Sequence, residues 1–316
     1  MNITVEKSIL KTENIVSGYT RVLASISGGS DSDIMLDILA KQIPNNSNTE
    51  IKYVFFDTGL EYEATHRHLE YLEKKYGIKI DHTKAKVSIP ASCKKYGQPF
   101  LNKHVSEMVS RLQRHDFNWK DGSFDDLYKK YPKCKVALQW WCNAHKKGSF
   151  FNISNNKLLK EFMLENPPEF KISNKCCEKA KKNPAKQYTK MNEVQLNMIG
   201  VRTAEGGVRK ARYKSCYVEN GANGDMFYPI LWYTDNDKLL YERLFEVNHS
   251  DCYEVYRLPR TGCAGCPFGR GFEDELRVIK TYEPRLFKAV NNIFGDSYAY
   301  TRQYRIFKDK DKKVIK

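Results

Sequence analysis

Ser27-Gly28-Gly29-Ser30-Asp31-Ser32 decides how the rest of the chain is read. Ahead of it runs Val22-Leu23-Ala24-Ser25-Ile26, an apolar stretch of strand length. Behind it Ile34, Met35, Ile38, Leu39 and Ile43 follow the i, i+4 rhythm of a one-sided helix. A strand that ends in a Gly-Gly turn and enters a helix leaves backbone N–H groups unpaired at the helix start, where the helix dipole also favours negative charge. The glycines let that backbone approach an anion with no Cβ in the way. Ser27, Ser30 and Ser32 add hydroxyl donors, and Asp31 adds a carboxylate that either holds Mg²⁺ or caps the helix. The stretch reads as a phosphate grip.

Working outward, the first strand is expected over Arg21–Ser27, and Pro44 to Thr49 ends the following helix. A second strand at Ile51–Phe56, a helix from about Glu63 to Tyr76 and a third strand opened by Gly77-Ile78-Lys79-Ile80 complete a βαβαβ alternation. That order predicts an α/β fold, a doubly wound parallel sheet with helices on both faces. Residues 1–19 are polar and lead into the first strand. Residues 88–190 form a mostly helical, basic and aromatic insertion with Trp119, Trp140 and Trp141. The sheet pattern resumes at Val194–Gly200. Asp235–Phe245 and Glu273–Phe294 read as helices, and the tail from Lys308 as solvated and frayed. The expected domains are therefore 1–87, the first part of the α/β domain; 88–190, the insertion; 191–271, the remainder of the α/β domain; and 272–316, a C-terminal helix and tail.

The 316 residues are 41% hydrophobic, as in a soluble globular protein, and no apolar run approaches the roughly 18 residues of a membrane helix. The start, Met1-Asn2-Ile3-Thr4-Val5-Glu6, lacks a signal-peptide pattern, so a cytoplasmic protein with no membrane partner is expected. Nine cysteines in such a chain suit metal ligation or redox chemistry better than disulfides. The net charge, 53 − 38 = +15, attracts polyanions, although solubility alone accounts for such a balance.

Several further motifs carry chemistry. The chain has no Gly-Lys pair, which argues against a Walker-type NTPase, and no G-x-G-x-x-G, which argues against a dinucleotide site. Phe56-Asp57-Thr58-Gly59-Leu60-Glu61-Tyr62 falls at the carboxyl end of a neighbouring strand, where ligands of open α/β sheets sit. In Gly200-Val201-Arg202-Thr203-Ala204-Glu205 with Arg209, two arginines offer a bidentate grip on phosphate or sulfate and the glutamate steadies one of them. A surface ion-pair cluster is the alternative. Cys176-Cys177 and Cys263-Ala264-Gly265-Cys266 together offer four thiolates, which suit a 4Fe–4S cluster or a structural zinc ion. Lys175, Lys179, Lys181, Lys182, Arg260 and Arg270 flank them with positive charge. Lys94, Lys95, Lys103, His104, Arg111 and Arg114, interleaved with aromatic residues and followed by the tryptophans, form a mixture that nucleic-acid binding uses; a tryptophan core is the alternative. Cys93, Cys134, Cys142, Cys216 and Cys252 are expected to be buried, and the seven histidines show no metal-binding spacing.

The hexapeptide resembles the PP-loop of ATP pyrophosphatases and sulfonucleotide reductases, and the Asp57 turn resembles the segment that lines the adenosine side in the phosphoadenosine phosphosulfate (PAPS) reductase family. The Arg202 stretch resembles a third element of that family. Tyr96-Gly97-Gln98-Pro99-Phe100 leads into Lys103 much as the family's Gly-x-Pro-x-x-Ser-Lys element does, with Asn102 in place of the serine. The CC…C-x-x-C arrangement is similar to that of the iron–sulfur sulfonucleotide reductases, which favours iron over zinc. Over residues 20–270 the chain thus resembles the PAPS reductase-like family of adenine nucleotide alpha-hydrolase folds.

The resemblance implies an adenine nucleotide, ATP or adenylyl sulfate, bound with Mg²⁺ by Ser27, Gly28, Gly29, Ser30, Asp31, Ser32, Asp57, Thr58, Gly59 and Glu205. It implies Asp31, Arg202 and Arg209 as catalytic residues, Lys103 and Arg260 as substrate contacts, and Cys176, Cys177, Cys263 and Cys266 as ligands of a 4Fe–4S cluster. Members of the superfamily either reduce adenylyl sulfate to sulfite or split ATP between its α and β phosphates, some of them passing sulfur to tRNA or DNA. No cysteine follows Cys266, so the reductase nucleophile is missing from its usual place and a thiol such as Cys252 would have to replace it. The expectation is ATP cleavage with sulfur transfer to a nucleic acid, tRNA or DNA, partnered by a cysteine desulfurase or other sulfur or electron donor. A sulfonucleotide reductase, and a nucleotide-dependent nucleic-acid-binding module without turnover, are the alternatives.

Overall fold

A computed structural model describes residues 3–44, 48–206, 213–219, 221 and 224–314. The chain divides into two units, Met1–Lys86 with Ala180–Ala264, and Val87–Lys179 with Gly265–Lys316.

The first unit is built on β1 (Arg21–Ser25), β2 (Glu50–Asp57), β3 (Ile80–Lys84), β4 (Leu196–Ile199), β5 (Tyr217–Val218) and β6 (Asp225–Phe227), in the order β3-β2-β1-β4-β6-β5. Every neighbouring pair is parallel except β5 with β6. The expected α/β fold with a mostly parallel sheet is what the chain forms. Val22, Leu23 and Ala24 of β1 are all buried, as a strand covered on both faces requires. Helices α1 (Ile3–Val16), α2 (Ser30–Asp37) and α3 (Glu63–Tyr76) belong to this unit, α2 continuing as a π-turn through Gln42. The boundaries of α3 are those read from its periodicity, since Ala64, Thr65, His68, Leu69 and Leu72 make one buried stripe.

The sequence assigns residues 1–19 no element. The polar lead-in is a helix, α1, whose inner face is half polar: Val5 and Val16 flank Ser8 and Thr12. Their hydroxyls are satisfied, Ser8 Oγ donating to the Pro229 carbonyl (3.0 Å) and Thr12 Oγ1 to the Ser8 carbonyl (2.7 Å), so burial costs little. An apolar count misses such a face.

The second unit is helical. It contains the helix Ile89–Tyr96, and the helices Lys103–Gln113, Phe124–Lys130, Lys135–Trp141 and Leu159–Glu165 pack around Phe100, Leu112, Trp140, Trp141 and Phe162, with Tyr300 and Tyr304 in the same core. Trp140 and Trp141 are completely buried and Trp119 packs edge-on against Trp141, so the expected aromatic platform for bases is interior packing instead. The helix expected over Glu273–Phe294 is two, Phe272–Tyr282 and Pro284–Val314, because Pro284 lacks an amide donor and starts a new helix. The second of these carries through the tail expected to fray. Among the described residues no helix is long and apolar enough to cross a membrane.

Candidate functional site

The strand order reverses at β1: β2 lies on one side and β4, which follows much later in the chain, on the other. Such a switch point opens a crevice at the carboxyl ends of the strands. The loop after β1 and the Arg202 segment after β4 meet there. Gly200 makes that possible, because a Cβ on it would lie 2.4 Å from the Asp31 carbonyl oxygen.

Within the loop, Gly28 takes φ 65°, a left-handed turn that favours glycine. Ser27 and Ser32 brace the turn. The Ser27 amide donates to Ser32 Oγ (3.2 Å), Ser32 Oγ donates to the Gly29 carbonyl (2.8 Å), and the Gly29 amide donates to Ser27 Oγ (3.3 Å). Asp31 Oδ1 accepts from Arg202 Nε at 2.8 Å, and Arg202 Nη1 donates to Asp235 Oδ1, also at 2.8 Å. Burial works against the Arg202 charge, but Asp235 and Asp31 outweigh it and hold the guanidinium above its ordinary pKa. Asp31 Oδ2 is buried and has no hydrogen-bond partner among the described residues. The residues therefore fit Mg²⁺: a buried carboxylate oxygen with a spare lone pair is a hard donor for that ion.

Sequence reasoning missed a second layer beneath the loop. Lys238 Nζ lies 2.5 Å from Ser30 Oγ, 3.5 Å from Asp31 Oδ1 and 3.6 Å from Glu242 Oε1. His249 bridges Glu242 (Nε2 to Oε1, 2.7 Å) and Asp33 (Nδ1 to Oδ2, 2.8 Å), and His68 Nε2 meets the same Asp33 oxygen at 3.0 Å. Burial disfavours the His249 charge, yet the two carboxylates prevail and push it up to about 9. Asp33 is fully buried; its desolvation is outweighed by the His249 and His68 hydrogen bonds, which hold the carboxyl below its usual range. At the mouth of the loop, the Tyr253 hydroxyl bonds to the Ser30 backbone and accepts from the Thr261 amide (3.2 Å). Lys238 and His249 lie 208 and 216 residues from their partners Ser30 and Asp33, and no local signal marks them.

At the carboxyl end of β2, Asp57 Oδ1 accepts from the Gly59 amide (2.7 Å). The Thr58 hydroxyl donates to Glu61 Oε1 (2.5 Å), and the Leu60 amide to Glu61 Oε2 (2.9 Å). Glu61 thus organises the Asp57-Thr58-Gly59 turn. Burial raises its pKa, partly countered by Thr58 and Leu60. Thr58 Oγ1 also lies 3.9 Å from Cys263 Sγ. Glu205 is exposed in a short 3₁₀ turn, Thr203–Glu205, and Arg209 lies outside the described residues. Arg260 is exposed in the first unit. Lys103 is exposed in the second, just after Asn102, whose side chain caps the helix by accepting from the Val105 amide (2.9 Å). An asparagine serves as well as the expected serine for that purpose.

Of the expected cluster ligands, Cys176, Cys177 and Cys266 belong to the second unit and Cys263 to the first. Cys93 joins the second-unit group. Its helix runs into Gln98, which forms a parallel bridge with Ile172, the Gln98 amide donating to Lys171 (2.8 Å) and the Ser173 amide to Gln98 (2.9 Å). That pairing brings Cys93 to Cys176. A hydrogen bond from Cys177 favours the Cys176 thiolate, but the Cys93 bond, burial and the charges of Cys93 and Cys266 prevail and push the thiol up. Among the described residues no three such side chains already stand in metal-binding geometry. The donor chemistry, thiols of which Cys93 and Cys176 are buried and Cys177 and Cys266 half-buried, fits a thiophilic centre such as an iron–sulfur cluster or zinc.

Residues 21–136 match the phosphoadenosine phosphosulfate reductase domain, so the resemblance carried by the loop and the Asp57 turn is borne out over that segment. An uncharacterized protein of Methanocaldococcus jannaschii is 37% identical over 92 residues, which are 29% of this chain and 18% of that protein. The chain therefore spans under a fifth of the length of that relative. Among solved structures, it is similar to a PAPS reductase of Candida auris in a phosphate complex, with 13% identity, TM-score 0.41, and coverage of 79% of this chain and 83% of the other. It is also similar to a U34-tRNA thiolase of Methanococcus maripaludis that holds a 4Fe–4S cluster, with 13% identity, TM-score 0.40, and coverage of 96% and 79%.

Proposed function

We propose that this chain is a PP-loop enzyme that binds ATP with Mg²⁺ at the β1–β4 crevice, cleaves it between the α and β phosphates, and uses the adenylated acceptor for sulfur transfer, with a nucleic acid as acceptor. The observation that carries this reading is the loop itself: a strand–turn–helix anion cradle at a topological switch point, with a buried Asp31 carboxylate tied to Arg202 and one oxygen left over. Backbone amides at the start of α2 face the phosphates and stabilise charge on the departing pyrophosphate. Arg202, locked between Asp31 and Asp235, sets the position of the carboxylate. The Asp57 turn, stiffened by Glu61, lines the adenosine side. The net charge of +15 favours a polyanionic acceptor.

Cys176, Cys177 and Cys266, with Cys93 beside them, would hold an iron–sulfur centre from the second unit, and Cys263 is the further expected ligand. Such a centre supplies a sulfur- and electron-handling group. A sulfonucleotide reductase reading needs an accessible replacement thiol, and Cys252 is completely buried, with its Sγ 3.9 Å from Thr65 Oγ1.

The test is turnover by anaerobically purified, reconstituted protein with ATP, Mg²⁺, a sulfide source and tRNA or DNA. Equimolar AMP and pyrophosphate, with sulfur recovered in the nucleic acid, is the expected result. Formation of neither product with any acceptor overturns the ATP reading. Sulfite release from adenylyl sulfate with a thiol donor replaces it with the reductase.

A further inference from the structure

We propose that Lys238 is the phosphate-reading cation of the loop, delivered by the helix Asp235–Leu244 to a motif that contains no lysine of its own. The inference rests on the nucleotide site proposed above and assigns it a residue that no motif contains.

Between Arg21 and Lys41 the sequence has no basic residue, so the loop offers an incoming phosphate only backbone dipoles and hydroxyls. Arg202 is already engaged, Nε with Asp31 and Nη1 with Asp235. Lys238 differs in its partners. Among the described residues its ammonium hydrogen-bonds to a neutral group, the Ser30 hydroxyl, while Asp31 and Glu242 stand at 3.5 and 3.6 Å, near enough to hold the charge electrostatically. Redirecting an ammonium from a hydroxyl to a phosphate oxygen exchanges a charge–dipole bond for a charge–charge bond, so the exchange favours the nucleotide. Its position is preset. The helix start is locked by a capping box, with the Thr234 amide donating to Asp237 Oδ2 (2.9 Å) and the Asp237 amide to Thr234 Oγ1 (3.1 Å), one residue before Lys238. The side chain is 17% exposed, reachable from the crevice yet mostly desolvated.

Equilibrium binding of ATP and of adenosine to the full chain tests this, using wild type, Lys238→Met, Lys238→Arg and the double variant Lys238→Met/Glu242→Gln. The double variant also removes the carboxylate charge that Lys238→Met leaves with His249 as its partner, and stands in if the single variant does not fold. Lys238→Met is expected to weaken ATP about 10- to 100-fold, the range for a lost charge-assisted hydrogen bond. Adenosine binding stays within about twofold and Lys238→Arg recovers most of the ATP affinity. If a folded Lys238→Met or double variant binds ATP as wild type does, or loses ATP and adenosine equally, Lys238 is a structural ion-pair residue and this inference falls alone. If wild type binds no adenine nucleotide, the nucleotide reading falls and takes this inference with it.

Discussion

Asp31, in the first unit, is neutralised from two directions by Arg202 and Lys238, whereas Cys176, in the second, has a bond from Cys177 that favours its ionisation but is held protonated by Cys93, burial and Cys266. The first arrangement is set before any ligand arrives: charges are paired, the turn is braced, and one carboxylate oxygen is left over. In the proposed reading the second is completed by a metal, because thiols become ligands only by losing protons, and a metal drives that loss. An anion grip is preorganised by dipoles and ion pairs already in the fold. A thiolate site gains its stability from the ion it binds.

The largest expected effect is on the thiol side. Reconstitution with iron and sulfide should stabilise the protein by about 4 kcal/mol when the centre is at ~1000 times its dissociation constant. Cys176→Ser should abolish both that gain and the stoichiometric iron. Cys134→Ser, altering a buried thiol of the second unit's core, should retain the iron. Cys93→Ser and Cys263→Ser, compared by iron and sulfide content, reveal which of the two completes the ligand set. Full iron retention in Cys176→Ser removes the contrast between the two regions.

Next in size is the preorganised side. Arg202→Ala leaves Asp31 with Lys238 as its remaining cationic partner and should cost about 3 kcal/mol in urea unfolding. Adding Asp31→Asn should restore part of the loss, since the uncompensated carboxylate is then gone. Additive losses in this double-mutant cycle rule out the pair as the element that holds the loop.

The smallest effect is a pH dependence. His249 is raised from 6.5 to about 9, so its contribution is complete below about pH 6.5 and is lost as pH rises through 9. Thermal stability of wild type should fall across pH 7–10 by roughly 2 kcal/mol, and His249→Gln should flatten that slope. An unchanged slope in the variant means that other groups govern alkaline stability.

The hexapeptide, the βαβαβ alternation and the limits of α3 were legible because each rests on local chemistry: a Gly-Gly turn, a period of 2 or 3.6, a stripe of buried side chains. Helix α1 was not, because its inner face mixes valine with serine and threonine whose hydroxyls find partners only after folding. Strand β5, two residues long, carries no readable period. The tryptophans looked suited to stacking on bases, but only packing determines whether an indole faces solvent, and Trp140 and Trp141 face the core.

By itself the sequence determined that a strand, a Gly-Gly turn and a helix open a parallel α/β unit and that paired cysteines follow it. Both follow from neighbours in the chain. Tertiary structure alone decided which charges complete the grip, since Arg202 and Lys238 reach Asp31 and Ser30 across 171 and 208 residues. It likewise placed Cys93 beside Cys176 through the Gln98–Ile172 bridge and buried Asp33 between two histidines. Interactions of that range depend on strand order and helix packing, and no spacing along the chain encodes them.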